Sequence, residues 1–390
     1  MTTNNYAREK LAEIRRNNLY RELKRISLIN KMKIQIDGKR AINFCSNDYL
    51  GLSQNARVLY EAKKKLNQVS QCSSRLVSGN SPDIEILENK LAKHRDTESA
   101  LVYPTGYMAN LGVLSALADK DSIIYSDELN HSSIIDGCRL SGAAVNIFRH
   151  NNASSLGKLI DSDSKSKRKI IITEGIFSMN GDIARLSDIC LLAKNAKALI
   201  ILDDAHGDFI FGRPKNYSGI ADLLRVSRLI DIHVSSLSKA IGCFGGYVAT
   251  SHSIRELLIN KSRQLIYTSA LPSHICRATL AAISVASKGN LQKKLLTNIH
   301  YFVDALGKLG FLVGESTTQI VPIITGDERT TVKISESLLK MGVFIQAIRY
   351  PTVGRGCARL RISLTAEHDR GELDFTLSCL EKTGKKYRLI

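Results

Sequence analysis

The chain is predicted to fold as an α/β protein, a mostly parallel sheet covered by helices on both faces, with a smaller C-terminal α+β domain. Three observations lead there. From about residue 45 onward short apolar runs recur, with helical stretches between most of them: ALVY (100–103), SIIY (122–125), AVNIF (144–148), KIIIT (169–173), ALIIL (198–202), LIDIHV (229–234) and GYVAT (246–250). Runs of this kind suit strands buried on both faces, and such strands need helices as covering layers. Near residue 285 the pattern changes. Long helical segments, LQKKLLTNIHYFVDALGKLG and TTVKISESLLKMG, now stand among the strand-like QIVPIIT and ARLRISL. Finally, 390 residues, 44% hydrophobic and 24% charged, suit one large domain with one or two smaller ones.

The remaining elements follow in chain order. Over residues 6–30 the apolar positions Leu11, Ile14, Leu19 and Leu23 fall near helical spacing and predict an N-terminal helix. Asp37-Gly38 between KIQI and AINF predicts a hairpin turn. The expected layout is an N-terminal helix and hairpin over 1–44, a large cofactor-binding domain over 45–284, and a small domain over 285–390.

Composition narrows the function. No run of about 18 apolar residues is present, so no membrane-spanning helix is expected. The polar start MTTNNYAREKLAEIRRNN lacks the apolar core of a secretory signal. The eight cysteines are scattered without a CxxC pair, which reads as reduced cytoplasmic thiols rather than disulfides or a metal site. The formal net charge is +18, yet the basic stretches KSKRK (165–169) and KTGKK (382–386) are short and far apart. Specific nucleic-acid binding is not expected. A positive field suits an anionic substrate: a phosphorylated cofactor, a coenzyme A thioester or an acidic carrier protein.

In open α/β sheets the ligand sits beyond the carboxyl ends of the strands, so the residues after each apolar run are the candidates. ALIILDDAHGD places Asp203, Asp204 and His206 there. A carboxylate can hold a pyridine nitrogen protonated, and Asp203 is chosen for that role, with His206 near the ring's phenolic oxygen. The alternative is a helix cap and an ordinary buried histidine. LIDIHVSSLSKAIGCFGGYV follows the next strand. Lys239 is the candidate nucleophilic amine, Ser236 and Ser238 are hydroxyls for a phosphate, and Gly242, Gly245 and Gly246 permit close backbone approach. An isolated S-x-x-K is more often a surface lysine; its spacing from Asp203 and His206 argues otherwise. In ALVYPTGYMANLG a helix starting near Gly106 and Tyr107 offers free N–H groups to an anion. His131 lies at another helix start and is a flat ring that can stack on a cofactor. Glu174 and Ser178 follow a further strand, and Arg359 and Arg361 share one face of a strand. Arg361 is the candidate clamp for a carboxylate.

Read together, NFCSNDYLGLS (43–53), TEGIFSMNGD (173–182), DDAHG (203–207), SLSKAIGCFGGY (236–247), IYTSALP (266–272) and ARLRISLT (358–365) closely resemble the α-oxoamine synthases, a family of fold-type I pyridoxal-phosphate enzymes. The resemblance runs from about residue 10 to 380. It implies pyridoxal 5′-phosphate as cofactor and a homodimer with shared sites. Lys239 would hold the cofactor, Asp203 would pair its ring nitrogen and His131 would stack on the ring. Ser178 and His206 would meet the phenolic oxygen. Gly106, Tyr107 and Ser236 would face the phosphate, with Thr268 of the partner subunit. Arg361 would bind the amino-acid carboxylate, with Asn47 close by. NLYRELKRI, with Arg21, and AIRYPTVGRGCARLR, with Arg349 and Thr352, resemble the acyl-binding segments of the branch that joins L-alanine to a pimeloyl thioester, carried on coenzyme A or a carrier protein. Tyr350 and Gly354 stand where that branch usually has prolines, and Ile84 where the family often has a histidine. The alternatives are condensation of glycine with acetyl-coenzyme A, or a cofactor-free basic binding protein on the same fold.

Overall fold

The computed structural model describes residues 3–17, 19–163 and 168–390, so residues 165–167 of the basic stretch at 165–169 lie outside it. The chain divides into two units. One comprises Asn47–Ser178 and Asp182–Lys293; the other comprises Met1–Ser46, Met179–Gly181 and Lys294–Ile390.

The first unit is built on a seven-stranded sheet. Its strands are β1 (Ser99–Tyr103), β2 (Ser122–Asp127), β3 (Ala144–Phe148), β4 (Arg168–Glu174), β5 (Leu199–Asp203), β6 (Ile232–Ser236) and β7 (Gly246–Thr250). They lie in the order β1-β7-β6-β5-β4-β2-β3. The pairs from β6 across to β3 are parallel, and β7 runs antiparallel to both of its neighbours. All seven predicted strands are present. The run at 229–234 is trimmed to begin at Ile232, because Ser227–Leu229 forms a single tight turn and the Asp231 carboxylate accepts the Ile200 N–H at 2.7 Å. Strands β1, β2, β6 and β7 are buried along their whole length, as apolar runs require. The edge strand β3 is mostly exposed.

Two connections position the candidate groups. The chain from β6 to β7 needs no crossover, because the strands are antiparallel neighbours. It closes in residues 237–245, where the Leu237 N–H donates to the Gly245 carbonyl (3.0 Å), Cys243 N–H to the Leu237 carbonyl (2.8 Å) and Gly242 N–H to the Lys239 carbonyl (2.9 Å). Gly242 has φ of 64°, and a Cβ there would stand 2.4 Å from the Ser53 nitrogen, so glycine is required. The second connection leads from β1 into helix α1 (Gly106–Leu117), which is capped by Thr105 accepting the Met108 N–H at 3.1 Å. Helix α1 is apolar almost throughout and packs in the core with Leu101, Ile124, Ile170 and Val248. Helix α2 (Ser132–Ser141) follows β2, with His131 as its N-cap.

In the second unit, the Asp37-Gly38 hairpin forms as predicted between Lys33–Ile36 and Lys39–Asn43, with φ of 48° and 84° at the two turn residues. The predicted N-terminal helix over 6–30 is corrected. The helix spans Thr3–Arg16, Leu19 and Leu23 lie beyond it, and Leu23 is fully exposed. The segment Ile26–Asn30 instead pairs as a strand with Lys33–Ile36, in the register Ile26↔Ile36 and Leu28↔Ile34. A β-rich ISLIN beside a ready hairpin edge gains ladder bonds that helical spacing cannot match. Val343–Phe344 then adds parallel to Ile42–Asn43, so the N-terminal stretch and the C-terminal segment share one unit. The predicted C-terminal elements are present: helices Asn290–Lys308 and Glu328–Lys340, and strands Ile320–Gly326 and Ala358–Ser363, joined in an antiparallel sheet by Gln346–Ile348. KTGKK (382–386) lies at the end of helix Arg370–Lys386, which opens on a capping box of Asp369 and Glu372. Among the described residues no helix is long and apolar enough to cross a membrane, and no cluster of His, Cys, Asp and Glu has metal-ligand geometry.

Candidate active site

The carboxyl ends of the strands meet around one cavity of about 230 Å³, lined by Thr105, Gly106, Tyr107, Asn110, His131, Ser133, Glu174, Asp203, Ala205, His206, Ser236, Ser238 and Lys239. The walls come from strand ends and from the helix starts that follow them. Tyr103 leads into Gly106, Asp127 into His131, and β4, β5 and β6 end on Glu174, Asp203 and Ser236. Lys239 is half-buried on the short β6–β7 loop.

The two aspartates of DDAHG part company. Asp203 borders the cavity; one carboxylate oxygen accepts the Ala205 N–H (3.0 Å) and the other the Asn110 side-chain amide (2.6 Å). Asp204 points away and is fully buried, paired with Arg95 at 3.2 Å and with the Ile220 N–H at 2.8 Å. Burial pushes its carboxyl up to about 7, against the pull of Arg95. Gly175, Gly207 and Gly219 all close on it, and a Cβ at any of them would lie within 2.5 Å of an Asp204 oxygen. Neither aspartate caps a helix.

His131 meets a second chain of contacts. Its Nδ1 lies 3.2 Å from the Ser133 N–H and 2.8 Å from Ser133 Oγ. Ser133 Oγ in turn accepts from the Asn110 amide at 2.9 Å. The ring keeps solvent-facing surface, yet protein atoms crowd it enough that loss of hydration lowers its pKa, with Lys239 adding to the shift and Asp203 opposing it. His206 is buried, with Nδ1 2.8 Å from the Tyr49 hydroxyl, which donates to Asn47 Oδ1 at 3.0 Å. Glu174 is buried as well. Burial, reinforced by Asp203, raises its carboxyl well above the usual range, and it accepts the Ser178 N–H at 3.3 Å. Tyr107 stands edge-on to His131 and its hydroxyl donates to Asp136.

These groups fit a phosphorylated pyridine. At one end, the first N–H groups of α1 have no partner within the helix, and Ser236 Oγ lies 2.8 Å from Ser238 Oγ beside them. Gly106 and Gly246 keep that end open: a Cβ on Gly246 would fall 2.4 Å from the Gly106 nitrogen. Asp203 offers the carboxylate a protonated ring nitrogen needs, and Lys239 offers an amine on the same cavity.

The family model for class I and II aminotransferases matches residues 39–379. The chain belongs to that family. It is 40% identical over 389 residues to an 8-amino-7-oxononanoate synthase of Thermoanaerobacter pseudethanolicus, covering 99% of this chain and 98% of that protein. Among solved structures it resembles a serine palmitoyltransferase from S. paucimobilis with bound PLP and myriocin, at a TM-score of 0.95 and 27% identity over the full length of both chains. It also resembles an 8-amino-7-oxononanoate synthase from Francisella tularensis, at a TM-score of 0.76 and 28% identity, covering 90% of this chain and 99% of that one. This family member is accordingly a fold-type I, pyridoxal-phosphate-dependent acyltransferase.

Of the residues singled out in the sequence, Gly106, Tyr107, His131, Asp203, His206, Ser236 and Lys239 line the one cavity. Ser178 meets the cavity wall through Glu174, and Asn47 meets it through Tyr49 and then His206. Thr268 does not line it; it borders a separate crevice with Arg75, Pro104 and Ala270. The other unit holds Arg21, Arg349, Thr352, Arg359 and Arg361. Arg21 donates to Thr352 Oγ1 at 3.2 Å, and Arg349 to the Tyr20 carbonyl at 2.5 Å, so the segments around Arg21 and Arg349 adjoin. Arg359 and Arg361 are buried, not a solvated pair; Arg359 donates to Asn180, and Arg361 to Ser363 Oγ at 2.8 Å. Ile84 is fully buried on helix Pro82–Arg95. Sequence reasoning missed Asn110, Ser133 and Tyr49. Asn110 carried a signal: a lone amide in an apolar helix, one turn from Gly106 and on its face.

Behind the His131 loop, His150 donates from Nδ1 to Asp127 (2.9 Å) and from Nε2 to Asp182 (2.8 Å). Burial disfavours the charge, but the hydrogen bonds to the two carboxylates outweigh it and hold the imidazolium up to about 10. A folded pKa raised above the unfolded value of about 6.5 gives stability that is fully present below that pH and is lost as pH climbs through 10. The gap in melting temperature between wild type and His150→Gln should therefore be widest near pH 6 and close towards pH 10. A gap independent of pH would contradict the clamp.

Proposed function

We propose that the enzyme condenses L-alanine with a pimeloyl thioester, on coenzyme A or a carrier protein, and releases carbon dioxide to give 8-amino-7-oxononanoate. The observation that carries this is the single cavity holding Lys239, Asp203, His131 and the α1 start. Full-length relatives named 8-amino-7-oxononanoate synthase support the choice of reaction. Pyridoxal phosphate, when bound, supplies an electron sink for charge at an amino-acid α-carbon.

The chain's own residues supply the rest. Lys239 is the attachment point; once displaced, its amine takes the α-proton and later returns one. Asp203 holds a proton on the ring nitrogen. His131 lies against the ring face, and His206 and Ser178 serve the phenolic oxygen. The N–H groups at Gly106 and Tyr107, with the Ser236 hydroxyl and Thr268 of the partner subunit, hold the phosphate. Arg361 takes the amino-acid carboxylate as a bidentate clamp, and Asn47 is assigned to substrate binding. Arg21, Arg349 and Thr352 receive the acyl chain. The enzyme works as a cytoplasmic homodimer, and its net charge of +18 draws in either anionic acyl carrier.

The test is a matrix of alanine, glycine and serine against pimeloyl, acetyl and palmitoyl thioesters, scored by carbon dioxide and thiol release. Turnover confined to alanine with the pimeloyl thioester is expected. Turnover only with glycine and acetyl-coenzyme A, or only with serine and the palmitoyl thioester, would overturn the substrate assignment.

A further inference from the structure

The contacts around Asn110 fix hydrogen positions that the functional reading leaves open. The Asn110 side-chain atom 2.6 Å from Asp203 faces a carboxylate oxygen, which accepts and does not donate, so that atom is the amide nitrogen. Its second hydrogen then points at Ser133 Oγ, 2.9 Å away. This orientation leaves Asn110 Oδ1 buried without a partner, which an amide free to turn would avoid. Ser133 Oγ therefore accepts from Asn110, and its own hydrogen goes to its other neighbour, His131 Nδ1, at 2.8 Å. The Ser133 backbone N–H, which can only donate, points at the same Nδ1 from 3.2 Å. Two donors on Nδ1 leave no room for a proton there.

We infer that Asn110 and Ser133 are positioning residues that hold His131 as the neutral imidazole protonated only at Nε2, and that tie this choice to Asp203. The inference rests on the functional reading only in making His131 and Asp203 the groups that meet the cofactor; the hydrogen-bond logic stands without it. Asn110 and Ser133 are 2% and 1% exposed, so water does not compete for the bond between them. The charged groups facing His131 are Asp203 and Asp136, which favour its protonation, and Lys239, which opposes it. Glu174 borders the same cavity, and its burial raises its carboxyl well above the usual range. The Tyr107 ring meets His131 edge-on.

The test is nuclear magnetic resonance on full-length protein with ¹⁵N-labelled histidine, with and without pyridoxal phosphate, assigning His131 by its loss in a His131→Gln variant. The wild type should show His131 as the Nε2–H tautomer at pH 7. Ser133→Ala removes one of the two donors to Nδ1, so the protonation midpoint of His131 should rise by roughly half a pH unit to one unit, the scale of one hydrogen bond of about 1 kcal/mol. Ser133→Thr, which keeps the hydroxyl, should restore the wild-type midpoint, and Asn110→Ala should shift it in the direction of Ser133→Ala. A merely structural role would leave these midpoints where they are. An Nδ1–H tautomer or an imidazolium in the wild type at pH 7, or an unchanged midpoint in Ser133→Ala, would overturn the inference. Should the Ser133 variants fail to fold, the wild-type tautomer alone decides. Failure to bind pyridoxal phosphate would refute the functional reading and leave the tautomer result intact.

Discussion

Lys239→Ala should lower turnover by at least ~10³-fold, the upper range of what a positioned base contributes, because in the proposed reaction the same amine attaches the cofactor and moves the α-proton. The loss should be chemical rather than structural. Lys239 is half-buried on a loop whose three backbone hydrogen bonds use no atom of its side chain, so the variant should fold and still take up pyridoxal phosphate. Borohydride should add the cofactor's mass to the wild-type peptide carrying Lys239 and to no peptide of the variant. Substantial residual turnover, or labelling elsewhere, would contradict the assignment.

The second large effect is expected at Asp203. Asp203→Asn is isosteric and keeps one oxygen to accept from the Asn110 amide, at the cost of the Ala205 N–H contact, which an amide nitrogen cannot accept. A neutral amide cannot keep a proton on the ring nitrogen. The rate of α-proton exchange in alanine should fall by about 10²- to 10³-fold, on the scale of losing one preorganised electrostatic partner in a water-poor site. The absorption spectrum of the bound cofactor should lose its dependence on that proton while binding persists. Equal losses at Asp204→Asn would show that the wrong aspartate has been assigned. That substitution is instead expected to act on stability, since Asp204 pairs with buried Arg95.

Asp203 was chosen from two aspartates at the end of one apolar run, and strand alternation explains why only one of them faces the cavity. Asp203 ends β5 facing the cavity, so its successor faces the other way. The strand-end rule found Lys239, His131, His206 and the α1 start in the same manner, since each follows an apolar run with little chain in between. Tyr49 escaped because it stands one contact behind the cavity, and Asn110 and Ser133, which line it, escaped because they act through their neighbours. Their contribution depends on which neighbour an amide or a hydroxyl faces, and spacing along the chain does not encode that. The N-terminal segment failed for a different reason. Leu19 and Leu23 kept a helical period, but pairing of Ile26–Asn30 with the Lys33–Ile36 edge is a tertiary event that a local window cannot weigh. Arg21 illustrates the same limit: its partner Thr352 lies 331 residues away.

The reversed strand β7 has a consequence for time. Because β6 and β7 are antiparallel neighbours, the segment bearing Lys239 is stapled at both ends and at its middle, and Gly242 is wedged against Ser53. The backbone under the lysine has nowhere to go. In the proposed reaction its amine would pass from holding the cofactor to moving a proton only by turning about its four side-chain bonds, a rotamer change of the picosecond-to-nanosecond class rather than a loop motion. The catalytic cycle would then never wait on Lys239 to travel, and any slow step the enzyme shows should be sought in the entry and exit of its substrates.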